Sequence, residues 1–209
     1  MKPRYRGWIH QQASYLSLAA GAVLVFLAPT PRAALAAAIY SLALVAMLTV
    51  SALYHRRNWS PKLRARMRSL DHATIFVLIA GSYTPFCLLA LKGEIGQRLL
   101  VIAWMGAIAG IAQSIFWVRA PRALTACLYL ALGWLVTPYL PLLAQSVGAL
   151  GLSLIAAAGL FFTVGAVIYV IRRPNPAPAT FGYHEVFHTL VTAACGFKFA
   201  AVALLVTRP

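Results

Sequence analysis

The chain has 209 residues, 62% of them hydrophobic and only 10% charged, with a mean hydropathy of +0.80. A soluble domain is nearer half apolar and about a quarter charged, so this composition excludes a water-soluble globular protein. A formal charge of +15 would suggest nucleic acid in a soluble chain; here the basic residues lie between apolar runs, where membrane topology accounts for them.

A helical span needs roughly 20 apolar residues. Seven candidate spans follow in order, at about 8–28, 33–55, 71–91, 98–118, 123–145, 148–171 and 184–206. The predicted fold is an all-α, polytopic seven-helix transmembrane bundle that takes residues 1–209 as one domain. The breaks carry turn chemistry: Pro29-Thr30-Pro31-Arg32 ends the first span, Lys92-Gly93-Glu94-Ile95-Gly96 the third, and Arg119-Ala120-Pro121-Arg122 the fourth. A Pro-rich loop occupies 172–183. Pro85, Pro138 and Pro141 are expected to kink their spans.

Lys2, Arg4 and Arg6 ahead of the first run also suit a signal peptide. The run from Trp8 to Ala28 is long enough to span, however, and Gln11 and Gln12 interrupt its start rather than its end. With the N-terminus in the cytoplasm, thirteen of the 18 basic residues fall on inside segments and four outside. That bias predicts an N-in, C-out orientation in the membrane. The basic 56–68 loop reads either as this topology signal or as a contact for anionic lipid. Cys87, Cys127 and Cys195 lie inside apolar runs without CxxC spacing, and are expected to be packed thiols without a disulfide.

Polar residues gather at three places that alternating spans bring to the cytoplasmic face. Ser51 and His55 close span two, Asp71 and His72 open span three, and His184 and His188 open span seven. Of the five histidines, His10 alone is set apart from this group. Each residue has a bland reading: His55 as an interfacial side chain, Asp71 as a helix N-cap with Ser69 as the rival cap, and Ser51 as a packing residue. Together they fit a three-histidine zinc site with an open fourth position. Such an ion lowers the pKa of bound water to about 7 and polarises carbonyls. Asp71 is then the candidate base, and Ser51 a supporting group.

His184-Glu185-Val186-Phe187-His188 also matches the H-E-x-x-H helix motif of zinc proteases. That reading leaves His55, Asp71 and Ser51 unused, and Glu185 is expected instead to act as a first-turn anion. Lys198 lies ten residues past His188, about 15 Å along a helix. It either faces the bundle interior or snorkels to the outer interface.

Ser51-Ala52-Leu53-Tyr54-His55, Leu70-Asp71-His72-Ala73-Thr74-Ile75-Phe76 and His184-Glu185-Val186-Phe187-His188 resemble, in order and across essentially the whole chain, the three motifs of the haemolysin III family. This is the bacterial branch of the progestin and adipoQ receptor (PAQR) family, grouped with alkaline ceramidases. The resemblance implies a seven-helix bundle with a cytoplasmic N-terminus. It implies zinc bound by His55, His184 and His188, with Asp71 and Ser51 beside its water. Ceramidase relatives cleave a lipid amide, and bacterial members are associated with membrane homeostasis. The expected function is hydrolysis of a lipid amide or ester, with membrane lipids as substrate or ligand and no nucleic-acid partner. A membrane-state sensor with a structural zinc, and a membrane-perturbing haemolysin-like protein, are the alternatives. Asp71→Asn tests the first and liposome leakage the second.

Overall fold

The computed structural model describes residues 3–91 and 93–208; Lys2 and Lys92 of the charge pattern lie outside them. The described residues form helices α1 (Trp8–Phe26), α2 (Pro31–Arg56), α3 (Pro61–Pro85), α4 (Gly93–Phe116), α5 (Arg122–Trp134), α6 (Leu140–Ile171) and α7 (Tyr183–Val206). No strand ladder occurs among them. Five segments are long and apolar enough to cross a membrane: Pro31–Arg56, Pro61–Ala90, Gly93–Phe116, Arg122–Ile171 and Tyr183–Val206. The chain is an all-α polytopic membrane protein. α1 is not among the five; His10, Gln11, Gln12 and Ser14 dilute its first half.

Local chemistry sets the helix ends. Thr30 caps α2 by accepting the Ala33 N–H at 3.2 Å, with Pro31 preset at the first helical position. α3 begins at Pro61, ten residues before the expected start, so neither Asp71 nor Ser69 is a cap; both are buried inside the helix. The arginines at 64, 66 and 68 hide this extension from any search for apolar runs. Pro85 ends α3, and the chain continues as a π-helical turn over Phe86–Ala90.

The stretch expected as spans five and six is one 50-residue apolar segment, Arg122–Ile171. It folds back on itself. A 3₁₀ turn at Thr137–Tyr139 contains Pro138, and Gly148 breaks α6 internally at φ 72°. Trp134 Nε1 then donates to Thr163 Oγ1 at 3.1 Å, and the Arg122 guanidinium lies 5.6 Å from the Tyr169 ring. Cys127 is exposed on α5, against the expectation that all three thiols are packed; Cys87 and Cys195 are buried.

Small residues let the helices approach. A methyl group on Gly21 would lie 2.7 Å from Ser41 Cβ, and one on Gly81 would lie 2.6 Å from Ala43 Cβ. α1, α2, α3 and α4 therefore pack in succession, α6 pairs with α7, and α7 returns to α1 and α2. Tyr40, Leu44, Leu48, Leu99, Leu143 and Val202 fill the core between them.

Candidate metal centre

The end of α2 and the starts of α1, α3 and α7 meet at one end of the bundle. Backbone bonds tie this end together: Arg4 N–H donates to Ala179 C=O at 3.1 Å and Tyr5 N–H to Thr180 C=O at 3.2 Å, binding the N-terminal segment to the loop before α7. Gly7, at φ 75°, lets the chain pass over α2; a side chain there would meet His55 Cβ at 2.8 Å.

His55 in the last turn of α2 and His184 and His188 in the first turns of α7 converge. Their ligand atoms lie within 4.8 Å of one another. The ring centroids of His55 are 4.6 Å from His184 and 5.0 Å from His188, and His184 and His188 are 4.6 Å apart. His55 Nε2 and His184 Nε2 approach to 3.2 Å. Zinc bonds of about 2.0–2.1 Å in a tetrahedron require nitrogens roughly 3.3–3.4 Å apart, so this pair already has the needed separation. Three imidazoles gathered inside a membrane protein, two of them buried, are a borderline-soft donor set suited to zinc. The residues present fit the ion.

Asp71 reaches the same place from the third turn of α3. Its Oδ2 is 3.8 Å from His55 Nε2, and the residue is 8% exposed. Ser51 lies one turn deeper on α2 than His55 and is also buried. All five expected site residues therefore share one cavity of about 450 Å³.

His10 belongs to the cluster, against the expectation that set it apart. Its ring stacks on His188 with centroids 3.8 Å apart and planes 4° from parallel. Its Nδ1 is hydrogen-bonded to Ser51 Oγ at 2.9 Å. The signal was present: alternation of spans puts the start of span one at the same depth as the other histidines.

Glu185 is 1% exposed and fully engaged. One oxygen accepts the Gly182 N–H at 2.8 Å, and the other pairs with Arg6 Nε at 2.5 Å. It thus caps its own helix and pins the N-terminal segment. His72 lines the cavity, and its carbonyl accepts the Tyr129 hydroxyl at 3.1 Å. Lys198 faces inward rather than snorkelling: it lines the far part of the cavity, with Nζ 5.5 Å from the Phe86 ring centroid. Between the histidines and Lys198 the walls are largely apolar, with Ile79, Leu140, Leu143 and Ile155 among them.

The family model described as haemolysin-III related matches residues 1–199. Hemolysin-3 of Bacillus cereus is 33% identical over 201 residues, covering 94% of this chain and 88% of the relative. The Hemolysin-3 homolog of Bacillus subtilis (strain 168) is 33% identical over 164 residues, covering 78% and 74%. The human monocyte to macrophage differentiation factor is 23% identical over 171 residues, covering 78% and 67%.

Proposed function

The chain belongs to the haemolysin-III-related family, and on that footing we propose that it is a zinc-dependent hydrolase of a lipid amide or ester, working in a bacterial cytoplasmic membrane and serving membrane lipid homeostasis. The observation that carries this reading is the 3.2 Å approach of His55 Nε2 to His184 Nε2, with the carboxylate of Asp71 beside it. His55, His184 and His188 would hold the ion. A zinc ion there supplies Lewis acidity toward a carbonyl and acidifies neighbouring water.

Asp71 is the general base. Its Oδ2 accepts a proton from the attacking water and passes it to the leaving nitrogen or oxygen. Burial keeps bulk water from competing for that proton. Ser51, held by His10, orients the groups around Asp71 and His55. The apolar remainder of the cavity receives an acyl chain.

We read the bundle as crossing the membrane seven times, with its N-terminus in the cytoplasm. The support is the doubling back of the 122–171 segment and the gathering of basic residues at the end that holds the histidines.

Metal analysis of purified protein is expected to find about one zinc per chain, and near zero in His55→Ala combined with His184→Ala. Fatty acid release from a lipid panel is expected to fall about 10²–10⁴-fold in Asp71→Asn with zinc retained. Wild-type protein without zinc sinks the metal centre. Zinc-loaded protein that cleaves no lipid in the panel sinks the hydrolase.

A further inference from the structure

One wall of the cavity carries an order that hydrolysis alone does not require. The residues of α3 that line the cavity recur every three or four positions, the period of one helix face. Arg64 and Arg68 come first, and Asp71 and His72 follow. Ile75, Leu78, Ile79, Ser82 and Tyr83 then complete the row. Along the helix this face is cationic, then reactive, then largely apolar.

Arg122, at the start of α5, joins the cationic end. Its guanidinium donates to Tyr183 Oη at 3.4 Å and lies 5.6 Å from the Tyr169 ring centroid. Arg64 lies 5.9 Å from the Tyr54 ring centroid. No carboxylate pairs with Arg64, Arg68 or Arg122 among the described residues. The chain has three acidic side chains, and each is placed elsewhere: Glu94 pairs with Arg98, Glu185 with Arg6, and Asp71 faces His55. Membrane topology explains why basic residues gather at this end. It does not explain why these three line the cavity, because Arg66, between two of them in sequence and as exposed as Arg64, is not part of the wall.

We infer that the cavity takes an anionic amphiphile: a phosphate-bearing acyl lipid whose headgroup is held by Arg64, Arg68 and Arg122, whose acyl linkage lies at Asp71, and whose tail follows the apolar part of α3. This rests on the hydrolase reading and narrows its substrate. Guanidinium forks match phosphate oxygens bidentately. Arg68 stands one helical turn, about 5 Å, from Asp71 and His72. That spacing suits a phosphate and an acyl ester carried by one glycerol. A neutral headgroup would leave three guanidiniums facing a cavity whose one carboxylate, Asp71, is turned to His55.

The test is binding of two lipids with the same acyl chain, lysophosphatidic acid and monoacylglycerol, to full-length protein in neutral detergent. Wild-type protein should prefer the phosphate lipid by about tenfold or more, the effect of one or more charge-assisted hydrogen bonds. Arg68→Gln combined with Arg122→Gln should abolish the preference while leaving monoacylglycerol binding in place, which shows that the variant is folded. Arg66→Gln should keep it. Inorganic phosphate, which has the charge without the chain, should not displace the phosphate lipid at equal concentration. No headgroup preference in the wild type, an equal loss in Arg66→Gln, or displacement by inorganic phosphate overturns the inference. Because the readout is binding, a selective protein that cleaves neither lipid still upholds the headgroup site, while the hydrolase stands or falls separately on the lipid panel.

Discussion

α3 and α5 both wall the cavity, and they are held in opposite ways. α3 has eleven buried residues among 25, while α5 has two among 13. The difference decides where chemistry can be placed. α3 lies against α2 and α4, so Asp71 is fixed relative to His55 on the neighbouring helix. α5 is short, stops at Trp134, and exposes Leu124, Cys127 and Leu128. It contributes Arg122, Thr125, Tyr129 and Trp134 to the wall, but no residue of the histidine cluster. Groups that must hold sub-ångström positions stand on the packed helices, and the thinly held helix supplies surface.

The largest effect expected from this contrast is metal removal. Chelation should lower the thermal midpoint strongly, because an ion bound only by the folded state adds about 4 kcal/mol at a thousandfold excess over Kd. A melt unchanged by chelator would mean that the packed region needs no metal. Gly81→Ala comes next. Its methyl group would press on Ala43 Cβ at 2.6 Å, and overpacking of this kind costs about 1–3 kcal/mol, read in a denaturation curve. His10→Phe keeps a ring against His188 but removes the bond to Ser51, and zinc affinity should fall about 10- to 100-fold by competition with a chelating dye. The smallest effect belongs to α5. A methyl group on Gly133 would meet no atom within 4 Å, so Gly133→Ala should shift stability by less than about 0.5 kcal/mol. If Gly133→Ala destabilised as much as Gly81→Ala, the contrast between the two walls would fail.

The same contrast separates what was legible in the sequence from what was not. His55, Asp71, His184 and His188 could be gathered because alternating spans share depth, and depth follows from counting. Which helices are neighbours does not follow from counting. His10 obeys the same alternation, yet its stacking on His188 depends on α1 lying against α7. The early start of α3 was hidden because a hydropathy search stops at Arg68, while the helix runs on to Pro61. The fold-back within 122–171 was legible as the break expected between residues 145 and 148, where Gly148 interrupts α6, and Pro138 was legible as a kink, but the shortness of α5 was not, since its composition is as apolar as that of its neighbours. Glu185 shows how a motif can mislead. Its place in H-E-x-x-H suggests a base, whereas both oxygens are engaged by Gly182 and Arg6.

The histidine cluster also imposes an order on the life of the chain. His55 and His184 are separated by 129 positions, and all of α3 to α6 must be synthesised between them. His55 emerges early with no partner imidazole on its own helix. The donor set comes into being only when α7, the last helix, has docked against α1 and α2. An ion held by this set would therefore be acquired at the close of assembly, and its binding would mark a molecule in which α7 has found its place. A chain halted before Tyr183 would keep His55, Asp71 and an open seam where α7 belongs, but would lack two of the three imidazoles.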